Sequence, residues 1–184
     1  MSRRDQILAT AAELFASRGY HGVSVADLGA ACGISGPALY KHFPSKQAVL
    51  AEMLVSISEE LLRVGRDRVA AADRPAEAIG ALVDWHVDFA VRHRPLIVVQ
   101  DRDWESLPTT ARERVRTLQR EYVDLWATQL RERDADRGTD LGPATARAMA
   151  HAAFGLINST PHSGLLPDPQ MREVLTRMAL GALG

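Results

Sequence analysis

Apolar residues recur at helical spacing along nearly the whole chain. Ile7, Ala11, Leu14 and Phe15 stand at i, i+4, i+7 and i+8, which predicts a helix from about Arg4 to Arg18, closed by Gly19. A shorter stripe, Val25, Leu28 and Cys32, follows Ser24, and Asp27 three residues on makes an acidic capping box with that serine. Gly33 supplies a turn. Ser35 caps the next element, and Pro37 sits in its first turn, where a missing N–H costs little. Leu39 and Phe43 anchor that element, and Pro44 ends it. Ser45 then caps a longer helix with the stripe Val49, Met53, Ile57 and Leu61, reaching toward Ala72.

The second part of the chain has longer patterns punctuated by proline. A helix is predicted from about Pro75 to Arg92, with Ile79, Leu82, His86 and Phe89 on one face, and a short piece from Pro95 to near Trp104. Thr110 and Glu113 suggest a capping box for a long helix bearing Val115, Leu118, Tyr122, Leu125 and Trp126. Gly138, Gly142 and Pro143 break it. An alanine-rich helix runs to about Ser159, Pro161 stops it, and Asp168 and Pro169 open the last helix. The longest β-branched apolar run is Ile97, Val98 and Val99, too short to carry a sheet. The expected fold is all-α: an N-terminal three-helix helix-turn-helix domain (residues 1–47), joined by a long connector helix to a larger helical domain (residues 48–184).

Composition narrows the classes. The chain has 184 residues, 46% hydrophobic and 24% charged, with a formal net charge of −1, so attraction to an anionic partner must come from local asymmetry. The basic start MSRRDQILATAAELF lacks the apolar core of a secretory signal, and no window reaches a transmembrane length. The expectation is a cytoplasmic protein with no membrane partner. One cysteine, Cys32, excludes an internal disulfide and a multi-cysteine zinc site, and its apolar setting predicts burial. No metal or cofactor is expected.

Local asymmetry is present in one stretch. The chain contains two lysines, Lys41 and Lys46, and both fall within Val23 to Lys46, beside Tyr40 and His42. A recognition helix enters the major groove N-terminus first, while neighbouring groups set its register on phosphates. Gly36 and Ala38 are small enough for close approach, and Pro37 or Ala38 suits contact with a thymine methyl. Tyr40, His42 and Lys46 can donate to phosphate, as can the backbone N–H groups of helices beginning at Ser24 and Ser45. With no long side chain at 36–38, specificity would come from apolar contact, Lys41 or DNA shape. On composition alone, Tyr40 and His42 fit half-buried packing equally well.

The run GYHGVSVADLGAACGISGPALYKHFPSKQAVL, residues 19 to 50, resembles the N-terminal domain of TetR-type (tetracycline-repressor-like) transcriptional regulators. The resemblance lies in the glycine after the first helix, the Ser-x-x-Asp helix start, Gly33, the Leu-Tyr-x-His-Phe run and the Pro-Ser-Lys that follows. It implies DNA contact by Ser24, Ser35, Gly36, Pro37, Ala38, Tyr40, Lys41, His42 and Lys46. It also implies a helical remainder that dimerises and binds a small molecule, with operator DNA, a second copy and an effector as partners.

Two helices, roughly residues 143–159 and 168–183, are the expected dimer surface. Ala146, Ala150, Ala153 and Gly155 permit close approach, and Met171, Val174, Leu175 and Met178 supply apolar area; the same residues could instead complete the protomer core. His86, Phe89, Trp104, Tyr122, Trp126, His151, Phe154 and Asn158 place polar groups on apolar faces, as effector pockets between helices do. The segment Asp101 to Trp126, with Arg102, Arg112, Arg114, Arg116 and Arg120, is similar to regulators that respond to acyl-CoA thioesters, although a solvated face explains alternating Arg and Glu equally well. An acyl-CoA or another hydrophobic compound is thus the expected effector of a repressor. The competing reading is a helical interaction protein without effector-controlled release. An enzyme is not expected, because the chain has no Gly-rich phosphate loop, His-Glu-x-x-His helix or nucleophile elbow.

Overall fold

The computed structural model describes residues 2–184, and among them no strand occurs. The helices are α1 (Arg3–Arg18), α2 (Val25–Ala31), α3 (Gly36–Leu39), α4 (Lys46–Ala70), α5 (Pro75–Arg92), α6 (Arg94–Asp103), α7 (Thr109–Asp136), α8 (Pro143–Ile157) and α9 (Asp168–Leu183). A 3-10 turn, Trp104–Ser106, follows α6, and another, Thr160–His162, follows α8. Among the described residues, no helix is long and apolar enough to cross a membrane.

Local chemistry accounts for most boundaries. Ser2 and Asp5 form a capping box at α1, and Ser24 and Asp27 form one at α2, each satisfying two N–H groups that a helix start leaves open. Gly33 closes the α2–α3 turn at φ +66°, a left-handed conformation that favours glycine. Two expectations shift. Thr110 lies inside α7 and caps nothing: the helix starts at Thr109, and the Pro108 carbonyl accepts from the Arg112 N–H. The element behind Ser35 is one α-turn, Gly36–Leu39; Tyr40, Lys41 and His42 continue as turns, with Lys41 and His42 bonding three residues back to Ala38 and Leu39.

The chain forms two compact units. The first takes the residues up to Ile57 together with Pro95–Arg116, and the second takes Ser58–Arg94 and Thr117–Gly184. Thus α4 divides after Ile57 and α7 after Arg116. The first unit is built on Ile7, Phe15, Leu28, Leu39, Phe43 and Leu50, joined by Val99 of α6 and Val115 of α7. Cys32 sits only partly buried against this core, because it is the C-cap of α2 and not an inward position.

In the second unit, α5, α8 and α9 pack on one another. Ala146, Ala150 and Ala153 are at most 1% exposed within the single chain, and Met171 and Leu175 are buried beside them. The alanine stripe expected at a dimer surface is therefore buried inside the protomer, in the helix that packs against α5 and α9. Met178 and Leu180 remain exposed on α9.

Candidate functional site

The first candidate is the corner at α3. Pro37, Tyr40 and Lys41 are exposed, Gly36, Ala38 and His42 are half-buried, and Leu39 and Phe43 reach the core. Period and capping suffice to explain this: anchors at i and i+4 pull one side inward and leave the proline and the tyrosine–lysine pair outside. Ser35 and Ser24 are exposed caps. The Ser35 hydroxyl accepts from the Ala38 N–H, and the Ser24 hydroxyl donates to Asp27 while accepting its N–H. At α4 the Ser45 hydroxyl accepts from the Ala48 N–H.

Most cations around this corner are engaged with backbone carbonyls, some at helix C-termini, where partial negative charge gathers, and some in the turns beyond them. Arg3 Nη2 donates to the Cys32 carbonyl at the end of α2 (2.5 Å). Arg4 donates to the His42 carbonyl, pairs with Glu52 of α4 and lays its guanidinium 4.1 Å over the Phe43 ring. Its pKa is raised by the hydrogen bond to Glu52. Lys46 Nζ donates to the carbonyls of Tyr20 (2.8 Å) and Val23 (2.7 Å) and lies 4.2 Å over the Tyr20 ring. Two of the three donors of Lys46 are thus internal, and Lys41 is the lysine left on the open surface.

Arg102 of α6 completes the set. It donates to the Ala16 carbonyl (3.0 Å) and the Phe15 carbonyl at the end of α1, and it pairs with Asp103 at 3.1 Å. Asp103, with its side chain 7% exposed, also accepts from the Tyr20 N–H (3.3 Å). Burial pushes the Tyr20 phenol up. Beside it, His21 and Ser106 are hydrogen-bonded at 3.1 Å. Sequence reasoning missed these roles of Arg3, Arg4, Arg102 and Asp103, since each cation meets a carbonyl 29 to 87 positions away.

The second candidate is an aromatic cluster within the second unit. His86 and Phe154 stack at 4.7 Å with their planes 2° apart, and Tyr122 lies nearly parallel to both. Trp126 stands edge-on to all three, and Phe89 meets His86 edge-on. His86 Nε2 is 3.1 Å from Asn158 Oδ1, and His86 Nδ1 is 3.4 Å from the Tyr122 hydroxyl. Burial lowers the His86 pKa to about 4, against a smaller opposing effect from Asn158. The imidazole is therefore neutral near pH 7, and Asn158 Oδ1 can only accept, so Nε2 carries the proton and Nδ1 accepts from Tyr122. Burial also pushes the Tyr122 phenol up.

The cluster gathers six of the expected effector residues: His86, Phe89, Tyr122, Trp126, Phe154 and Asn158. It leaves out two. Trp104 packs on the core of the first unit, with the Arg116 guanidinium 5.5 Å over its ring. His151 is exposed and meets only Phe154 of the group, at 6.3 Å. Among the described residues, no group of His, Cys, Asp and Glu is arranged to hold a metal ion.

Two family descriptions match this chain: "Bacterial regulatory proteins, tetR family" over residues 7–53, and "Tetracyclin repressor-like, C-terminal domain" over residues 72–183. The HTH-type transcriptional repressor KstR2 of Mycolicibacterium smegmatis is 29% identical over 136 residues, 73% of this chain and 66% of KstR2. The chain thus spans just under two thirds of that relative's length. A TetR-family transcriptional regulator from Bordetella parapertussis superposes with a TM-score of 0.82 at 27% identity, covering 96% of this chain and 93% of that one. AibR, solved in complex with isovaleryl coenzyme A and operator DNA, shares the fold with a TM-score of 0.73 at 22% identity over 96% of this chain and 97% of its own. With matches at both ends, the second alone spanning more than half its length, the chain belongs to the TetR family of bacterial regulatory proteins.

Proposed function

We propose that the chain is a transcriptional repressor that binds a palindromic operator as a homodimer and is released by a small apolar or amphipathic effector. The observation that carries this reading is the turn behind the small-residue start of α3, with Tyr40 and Lys41 exposed and His42 half-buried. Arg4 braces the last carbonyl of that turn against α1 and α4. Gly36, Pro37 and Ala38 can approach base edges, and Tyr40, Lys41 and His42 can meet phosphates, with the third donor of Lys46 beside them.

Dimerisation follows from the shortage of free cations. With Arg3, Arg4 and Arg102 engaged internally, one corner offers few phosphate contacts and would bind weakly, whereas a two-fold pair doubles them. Exposed Met178 and Leu180, with open space around Gly155 and Gly181, support a contact through α8 and α9. The aromatic cluster is the effector site in this reading. Ligand and DNA then favour different arrangements of one dimer, and a coupling of about 1–3 kcal/mol weakens operator binding roughly 5- to 150-fold.

AibR's complex with isovaleryl coenzyme A supports an acyl-CoA among the effectors to be tried. Two arginines once suited to CoA phosphates are occupied: Arg102 on α1, and Arg112 on Glu105 and the Leu107 carbonyl. A thioester here would be recognised mainly by its acyl part. The test is a gel shift on the DNA upstream of the chain's own gene at several salt concentrations. The expected result is a complex whose log affinity falls linearly with log salt, lost when Tyr40→Phe and Lys41→Ala are combined. A combined variant that binds as the wild type does would refute this docking.

A further inference from the structure

The corner at α3 is too short to hold its own shape. It is a single turn, Gly36–Leu39, and a first helical turn fixes about six dihedral angles for one hydrogen bond. Its geometry is therefore set from outside. At the front, a Cβ on Gly29 would lie 2.9 Å from the Ile34 carbonyl and 3.0 Å from the Gly36 nitrogen, so α2 wedges the entry in place. In the middle, Leu39 and Phe43 are at most 2% exposed. The back end, where the chain continues as turns, is held by Arg4.

Arg4 belongs to α1, 38 positions before its acceptor. Its Nη1 donates to the His42 carbonyl, its Nε and Nη2 donate to the two carboxylate oxygens of Glu52 on α4, and its plane lies 4.1 Å over the Phe43 ring. One planar group thus joins α1, α4 and the end of the turn, with its fork and its face both in use. With side chains 45% and 35% exposed, the Arg4–Glu52 pair contributes little to stability in water. What it sets is the angle of the turn. Attraction to phosphate falls slowly with distance, whereas contacts to base edges weaken steeply with small misalignment.

Building on the docking reading above, we propose that Arg4 and Glu52 are positioning residues for sequence-specific DNA binding. Without touching DNA, they hold the Tyr40–His42 turn so that α3 meets base edges. They set the preference for the operator over other DNA, and affinity for DNA at large is independent of them.

Bracing and direct phosphate contact predict opposite signs. If Arg4 met a phosphate, lysine would serve nearly as well, and neutralising Glu52 nearby would raise affinity for any duplex. As a brace, Arg4 cannot be replaced by lysine, which lacks the fork and the stacking plane, and neutralising Glu52 lowers affinity for the operator alone.

The full chain, Arg4→Lys and Glu52→Gln test this by fluorescence anisotropy at several salt concentrations. The probes are a duplex that the wild type selects from a random pool and a scrambled duplex of the same composition. Operator affinity is expected to fall about 10-fold in Arg4→Lys and about 3-fold in Glu52→Gln. Affinity for the scrambled duplex should stay within about two-fold, with the slope of log affinity against log salt unchanged. Glu52→Gln keeps the shape of the side chain, so it decides the matter if Arg4→Lys melts below the assay temperature.

Operator affinities at the wild-type level, equal losses on both duplexes, or tighter binding of both by Glu52→Gln would overturn the proposal. The second result marks a purely structural pair, and the third a direct phosphate contact. A wild type that selects no duplex would sink the docking reading and these roles with it. A selective wild type with equally selective variants would remove only the roles of Arg4 and Glu52.

Discussion

A Cβ placed on Gly65 would lie 2.7 Å from Cε2 of Tyr122. Within the second unit, the later part of α4 therefore passes α7 at a distance only glycine allows, and the ring it touches is the one that hydrogen-bonds His86. The α4 backbone and the aromatic cluster share a contact with no slack.

Gly65→Ala should consequently displace Tyr122 and loosen its bond to His86. Overpacking of this kind costs about 1–3 kcal/mol, set against a helix-propensity gain of roughly 1 kcal/mol for replacing an interior glycine. A lower melting temperature is expected, together with a change in near-ultraviolet dichroism from the cluster. An unchanged or raised melting temperature would show that the ring moves freely.

Stability should depend on pH through His86. Its folded pKa, about 4, lies below the ordinary 6.5, so between those values the unfolded chain binds more protons than the folded one. Stability is then full above about pH 6.5 and falls as the pH drops toward 4, by an amount on the order of 3 kcal/mol. His93, also lowered chiefly by burial, acts in the same direction. Urea midpoints measured across this range should flatten in His86→Gln; an equal slope in that variant would assign the effect elsewhere.

The pairing of Arg102 with Asp103 and the end of α1 predicts a stability role for a residue that could pass for a solvated charge. Arg102→Ala leaves a nearly buried carboxylate without its cation and takes a donor from the Ala16 and Phe15 carbonyls, the second of which keeps the Gly19 N–H. Because Arg102 is itself 43% exposed, the expected loss is about 1–2 kcal/mol, below that of a fully buried pair. Chemical denaturation of Arg102→Ala and Arg102→Lys checks this, with lysine restoring the charge but not the fork.

Two lysines five positions apart should behave differently. Lys46→Ala should cost about 1–2 kcal/mol, since it strips donors from the Tyr20 and Val23 carbonyls. Lys41→Ala should change stability by less than about 0.5 kcal/mol while lowering the slope of log operator affinity against log salt by about one. Melting curves and salt-dependent binding on the two variants separate the roles.

How much of this was legible beforehand depends on the range of the interaction. Apolar spacing and the capping boxes act within a turn or two, so the helices, the Ser24–Asp27 start and the Gly33 turn could be read from the chain, whereas for Tyr40 packing and surface fitted equally well until the fold placed it outside. The gathering of His86, Phe89, Tyr122, Trp126, Phe154 and Asn158 was partly legible too, because each lies on an apolar helical face and must meet a neighbour there.

Tertiary structure decided which neighbour. Trp104 and Trp126 look alike in sequence, yet they pack in different units, and the Ala146–Ala150–Ala153 stripe is buried within the protomer, where α8 packs against α5 and α9. The cations divide in the same way: Arg3, Arg4, Lys46 and Arg102 all reach carbonyls far along the chain, and Lys41 does not. A long flexible side chain can satisfy any acceptor the fold brings within reach, so its partner is set by three-dimensional proximity and leaves no periodic trace in the sequence.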